Sequence, residues 1–198
     1  MPLVGVLIAK VDARKLIAFG FVATAFGLYY TGQRLSTTIS FGTTSLLRVY
    51  QAFGIAFLFV PINTVSFVGV PREKNNEVSG LINLGRNLGG DIGIATFTAL
   101  LAHRSQIHQT NLSAHTSRYN RTLVAQLDAL TSALVHTGAT AQQASRKAVG
   151  MVGRTLLEQA TTLAYIDVVR FFAALCLLVV PLVFFMKKND PRAASAAA

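Results

Sequence analysis

Residues Val78–Ala102, VSGLINLGRNLGGDIGIATFTALLA, form an apolar run long enough to cross a bilayer as a helix, yet Arg86 and Asp91 sit well inside its ends. A spanning helix needs about 20 mostly apolar residues. A charge at the centre of such a helix costs roughly 2.5–3.5 kcal/mol on insertion scales, so it faces a bundle interior or a water-filled cavity. This segment points away from soluble folds, toward a membrane protein with a polar route through it.

The rest of the chain agrees. Of its 198 residues, 52% are apolar and 13% are charged, where soluble domains carry about 25% charged residues. Three more apolar runs lie at about Leu16–Thr31, Leu46–Val70 and Thr162–Met186. The expected architecture is an all-α integral membrane helical bundle with four full transmembrane helices. Before them, PLVGVLIA would span only about 13 Å at 1.5 Å per residue. It reads as the end of a truncated first helix. No basic segment precedes it as in a signal peptide.

Expected divisions follow. Residues 1–15 hold the truncated helix end and a cytoplasmic loop, and 16–102 hold three transmembrane helices. Residues 103–161 form a long helical extracytoplasmic loop, 162–186 the last transmembrane helix, and 187–198 a cytoplasmic tail. The net charge of +10 is placed as topology requires. Lys10, Arg14 and Lys15, then Arg72 and Lys74, then Lys187, Lys188 and Arg192 fall on one side by alternation. The positive-inside rule makes that side cytoplasmic. The long loop carries further arginines, but long loops translocate largely regardless of charge. No basic cluster lies beside aromatics in a polar domain, so nucleic acid is not an expected partner; the lipid bilayer is. In the long loop, Leu123, Leu127, Leu130 and Leu134 recur at helical spacing, Gly138 is a stop signal, and Thr140 can cap a second helix.

Candidate chemistry lies within the runs. Ser79, Asn83, Asn87 and Asp91 are four apart and form one polar stripe, with Arg86 on the same side. Gly85, Gly89 and Gly93 form a second stripe suited to close helix packing. Asn83, Arg86, Asn87 and Asp91 are therefore candidates for a substrate or proton pathway, with buried structural pairing as the competing reading. Gln51 lies where it can face a cavity, and Pro61 removes a backbone donor and bends its helix. Asp167 and Arg170 are three apart and can pair; protonation of Asp167 in a transport cycle is the sharper alternative. His103, His108, His115 and His136 lack metal-ligand spacing, and no phosphate loop or nucleophile elbow is present. No catalytic residue, metal site or cofactor is expected, and the chain does not read as an enzyme. Cys176 is the single cysteine, so no disulfide framework is available.

One stretch, FLFVPINTVSFVGVPREKNNEVSGLINLGRNLGGDIGIA, resembles the late part of the 14-span drug/proton antiporters of the major facilitator superfamily, the EmrB/QacA type. The shared features are FVP-x-x-T, a short turn with Pro, Arg and Glu, and SGL-x-N-x-x-RN-x-GG-x-x-G. Asn120 with Leu123, the ending LAYIDVVRFFAAL, and Gly5, Leu7, Lys10 and Arg14 near the start are similar to later and earlier parts of the same pattern. Ala9 stands where an acid is common and Asp91 where a small polar residue is commoner, so no family role is carried onto either. The resemblance implies a partial major facilitator fold in the bacterial inner membrane, multi-pass. It also implies secondary active export of small amphipathic drugs driven by protons. On this reading the chain is a carboxy-terminal fragment, inactive alone unless a missing amino-terminal transporter half is supplied, with a periplasmic adaptor as a further partner. The alternative is a self-standing four-span protein that oligomerises through Gly85, Gly89 and Gly93, in a structural or interaction role.

Overall fold

The computed structural model describes residues 11–67, 69–114, 116 and 120–185. The described residues are all-α. The helices are α1 (Ala13–Arg34), α2 (Phe41–Ser66), α3 (Asn75–Ala114), α4 (Arg121–His136) and α5 (Ala141–Phe184), with a 3-10 turn at Arg72–Lys74. The expected truncated first helix and the cytoplasmic tail fall on residues outside those described, apart from Val11 onward.

The starts of the helices are set by side chains that satisfy orphan backbone donors. Asp12 accepts from Arg14 N at 3.2 Å before α1, and Ser40 Oγ accepts from Thr43 N at 3.4 Å before α2. Asn120 accepts from Thr122 N and Leu123 N before α4. Thr140 Oγ1 accepts from Gln143 N before α5. Gly138 ends α4 at φ +95°, where Ala139 N donates to the Leu134 carbonyl. A residue with a Cβ rarely adopts that backbone conformation.

The sequence expectation of four full transmembrane helices in a packed bundle is corrected here. Among the described residues, two helices are long and apolar enough to cross a membrane: α2 and α5. The apolar stretch of α1 is short and diluted by glycines, Thr24, Thr31 and two tyrosines. Helix α3 runs on from the expected span to Ala114, and the polar stripe that suggested a pathway is what lowers its apolarity. Neither α3 nor α4 has a buried residue, so the described chain lacks the enclosed core of a packed transmembrane bundle or a partial major facilitator fold. Many large apolar side chains, Phe41, Leu81, Ile92 and Ile94 among them, are exposed. The physical reason is that length and composition set a helix's capacity to span, whereas burial requires partners that a hydropathy pattern does not specify.

The described chain divides into two compact units. One comprises the described residues up to Phe97 and from Val169 onward; the other is Thr98–Val168.

In the first unit α1 and α2 make the most extensive helix–helix contact. On α1 the positions facing inward, Ala13, Ile17, Gly20, Gly27 and Thr31 with Thr24 half-buried between them, step by four and three. On α2 the buried positions Leu47, Gly54 and Pro61 are seven apart. That repeat averages 3.5 residues, the spacing that keeps one seam facing a partner helix. The seam is tight because its small residues admit backbone. A Cβ on Gly54 would lie 2.5 Å from Thr24 Oγ1 and 2.7 Å from Thr24 N. One on Gly20 would lie 2.8 Å from the Leu58 side chain and 3.0 Å from the Phe57 carbonyl carbon. Ile17, Ala18 and Val183 form the small buried core beside it, packed by Phe21, Leu58, Val179 and Val180.

In the second unit Ala144, Ala148, Ala160, Ala164 and Val168 of α5 are almost fully buried. An open groove of roughly 740 Å³ is lined by Leu112 of α3, Leu123 and Leu130 of α4, and Met151, Val152 and Leu156 of α5. Two of the four spaced leucines of α4, Leu123 and Leu130, thus line this groove.

Candidate functional site

Arg86 lies on α3 in the first unit, and α2 supplies its neighbours. Its Nη2 donates to Asn63 Oδ1 at 2.9 Å, and its Cζ lies 4.8 Å from the centroid of the Phe59 ring. Pro61 stands between these two α2 residues. It has no N–H, so the Phe57 carbonyl loses its helical donor. Asn63 Nδ2 also donates to the Phe59 carbonyl at 2.7 Å, which fixes the amide so that its oxygen faces Arg86. Both partners of the guanidinium are neutral, and among the described residues no carboxylate is paired with it.

Two clefts meet at this group. One, of about 320 Å³, is polar: Asn63, Ser79, Asn83 and Arg86 line it with Phe59 and Phe67. The other, of about 330 Å³, is apolar: Ile55, Leu58, Ile62 and Ile82 line it with Phe59, Asn63 and Arg86. The arrangement can hold a fixed cation at a polar–apolar boundary. Among the described residues, no acid, histidine or cysteine lines either cleft, and no group of histidines, cysteines and acids could hold a metal.

The structure thus brings Asn83 and Arg86 together, while Asn87 and Asp91 lie exposed further along α3. Gly85, Gly89 and Gly93 meet nothing within 4 Å. Gln51 lies at the α1–α2 seam: its Nε2 donates to Thr31 Oγ1 at 2.9 Å, its Oε1 accepts from Arg48 Nη1 at 3.3 Å, and Thr31 Oγ1 donates to the Gly27 carbonyl at 2.7 Å. Asp167 lies in the second unit and pairs not with Arg170 but with His108 of α3, Nε2 to Oδ2 at 2.8 Å, with Arg104 Nη1 at 3.9 Å. Ser105 and Thr161 hydroxyls, 3.5 Å apart, link the same two helices nearby. Sequence reasoning did not single out Asn63, Phe59, His108 or Arg104. The i,i+4 spacing of Arg104 and His108 is visible in the sequence; their partner across 59 residues is not.

No protein-family model matches the chain, and no solved structure matches it. Similarity to curated proteins is extensive along this chain. It is 27% identical over 186 residues to the multidrug export protein EmrB of Escherichia coli K12, covering 94% of this chain and 35% of that protein. It is 32% identical over 119 residues to the probable multidrug resistance protein EmrY of the same organism, covering 60% of this chain and 23% of that protein. It is 23% identical over 186 residues to the fatty acid resistance protein FarB of Neisseria gonorrhoeae, covering 94% and 35%. Over most of its length the chain is similar to proteins named for multidrug export or for resistance. It spans about a third of the length of the curated relatives it matches over most of its own length. Those relatives are named for export, resistance or transport.

Proposed function

We propose that this chain is the carboxy-terminal part of a proton-driven multidrug exporter of the bacterial inner membrane, moving small amphipathic compounds outward. The observation that carries the reading is the similarity to a multidrug export protein over 94% of the chain. Two helices of membrane-crossing length and apolarity support it, as does an arginine held at a polar–apolar boundary. In this reading Arg86 and Asn83 line the substrate or proton pathway, and Asn87 and Asp91 extend it along α3. Gln51 and Asp167 are further substrate or proton pathway candidates, and Pro61 gives α2 the free carbonyl at which it bends. Alternating access needs two sets of helices rocking about one site. The partners are therefore lipid, drug and protons, with the other set supplied by an amino-terminal transporter half, and a periplasmic adaptor outside.

The test is dye efflux from energised cells that lack their own multidrug pumps and express a full-length exporter carrying this segment. The expected result is efflux that stops when the proton gradient is collapsed, and that falls to the vector level in Arg86→Ala at unchanged membrane abundance. Efflux indifferent to the gradient contradicts the proton drive, and unchanged efflux in the variant removes Arg86 from the pathway.

The open face of α3 favours a second reading. Gly85, Gly89 and Gly93 leave room for another helix, as in a self-standing membrane protein that oligomerises there. Cysteine cross-linking at Gly89 in a Cys176→Ala background separates the two: chain-to-chain dimers in membranes favour the second.

A further inference from the structure

We propose that His108 is a proton-accepting group of the transport pathway, taking a proton at Nδ1 while Asp167 holds its Nε2. The inference rests on the export reading, in which Asp167 is a proton pathway candidate, and it moves the proton from the carboxylate to the imidazole. Four observations carry it. His108 Nε2 and Asp167 Oδ2 are 2.8 Å apart, a hydrogen bond between α3 and α5 inside the second unit. Arg104 Nη1 lies 3.9 Å from the same oxygen. No described residue hydrogen-bonds His108 Nδ1. The His108 and Asp167 side chains are 24% and 31% exposed, so water reaches the pair without surrounding it.

An ionised carboxylate accepts hydrogen bonds and donates none. Nε2 therefore carries the hydrogen, and in a neutral imidazole the other nitrogen is then left with a lone pair. Asp167 Oδ2 already faces the His108 N–H and the Arg104 guanidinium, so an added proton finds its open acceptor at Nδ1. The step balances: a hydronium ion gives its proton to Nδ1, a water molecule departs, and the His108 ring gains one positive charge. Histidine suits this exchange because it is the side chain that ordinarily changes charge between about pH 5 and 8. The charged group facing the pair from α3 is Arg104. On α5, Arg170 makes no ion pair with Asp167, and Glu158 is taken by Arg154. The α4 residues that line the groove shared with α3 and α5, Leu123, Gln126, Ala129 and Leu130, carry no charge. The Ser105 and Thr161 hydroxyls join the same two helices nearby, and Ala160, Ala164 and Val168 are almost fully buried on α5, so the pair sits on a fixed frame while the proton comes and goes.

Two measurements test it. In the first, the full chain in detergent, with His103, His115 and His136 replaced by glutamine, carries nitrogen-15 in its one remaining histidine. At alkaline pH the expected spectrum is a single tautomer with Nε2 protonated and Nδ1 bare, and acid then places a proton on Nδ1. Asp167→Ala should release that preference and give both tautomers. In the second, a full-length exporter carrying this segment is reconstituted into vesicles with ethidium as the probe. His108→Gln keeps an N–H donor toward Asp167 but takes no proton. It is expected to exchange labelled for unlabelled ethidium at the parent's rate and to lose accumulation driven by an imposed pH gradient. A merely structural role would lower both together. Should His108→Gln fail to insert, the first measurement decides, because it leaves His108 in place. A proton on Nδ1 at alkaline pH, mixed tautomers in the parent chain, undiminished gradient-driven accumulation in His108→Gln, or joint loss of exchange and accumulation overturns the proposal. A parent exporter that no proton gradient drives contradicts the export reading instead, and the tautomer measurement still judges the proton site.

Discussion

Two helix faces in this chain carry small residues at regular spacing, and they behave in opposite ways. The seam of α1 and α2 uses Gly20, Gly27 and Gly54 as points of close approach, with backbone or side-chain atoms 2.5–3.5 Å from where a Cβ would stand. The face of α3 carries Gly85, Gly89 and Gly93 in a more regular stripe, and each opens onto empty space. A glycine pattern therefore tells where backbone can come close, not whether it does. The partner helix decides. On α1 and α2 it exists because both helices repeat inward positions with a 3.5-residue average, so two seams coincide over their length.

That contrast can be broken by substitution. The largest effect is expected for Gly54→Ala. The added methyl meets the Thr24 backbone as well as its hydroxyl, and overpacking of this kind typically costs about 1–3 kcal/mol. Unfolding in a denaturing detergent series, followed by circular dichroism, measures it; a stability equal to the parent's would show that the seam is loose. Gln51→Leu comes next, because it removes the hydrogen bond to Thr31 and leaves a buried hydroxyl with one partner fewer; a loss of about 1 kcal/mol is expected by the same measurement. Gly85→Ala should act in the opposite direction. It meets no neighbour, and alanine exceeds glycine in helix propensity by about 0.8–1 kcal/mol. Destabilisation there would reveal a partner on the α3 face and favour the oligomer reading. The smallest effect is expected for Asp167→Asn, because the His108 and Arg104 partners are only partly buried and exposed pairs contribute about 0.2–1 kcal/mol.

The same contrast explains what the sequence discloses. The apolar character of α2 and α5 is local and was readable, as were the Thr140 cap and the Gly138 turn, because each depends on residues within one helical turn. The number of spans was overestimated. An apolar run containing Arg86, Asp91 and two asparagines reads as a cavity-lining span when neighbours are assumed, and α3 has no buried residue to supply that assumption. Arg86 was legible as unusual because a charge in an apolar run is a local anomaly. Asn63 was not, since its importance comes from Arg86 reaching across from another helix, 23 residues away. Asp167 misled for the converse reason. Arg170 is three residues away on the same helix and satisfies the pairing rule, yet His108 from α3 takes the carboxylate at 2.8 Å. Local spacing lists the pairs a helix permits, and tertiary approach selects among them.

The account depends on the chain residing in a membrane through α2 and α5. Alkaline carbonate extraction of membranes from cells expressing the chain tests this most directly, because it strips peripheral proteins and leaves spanning ones. The account predicts that the chain stays in the pellet and is released by detergent. Recovery of the folded chain in the carbonate supernatant, without detergent, would contradict it.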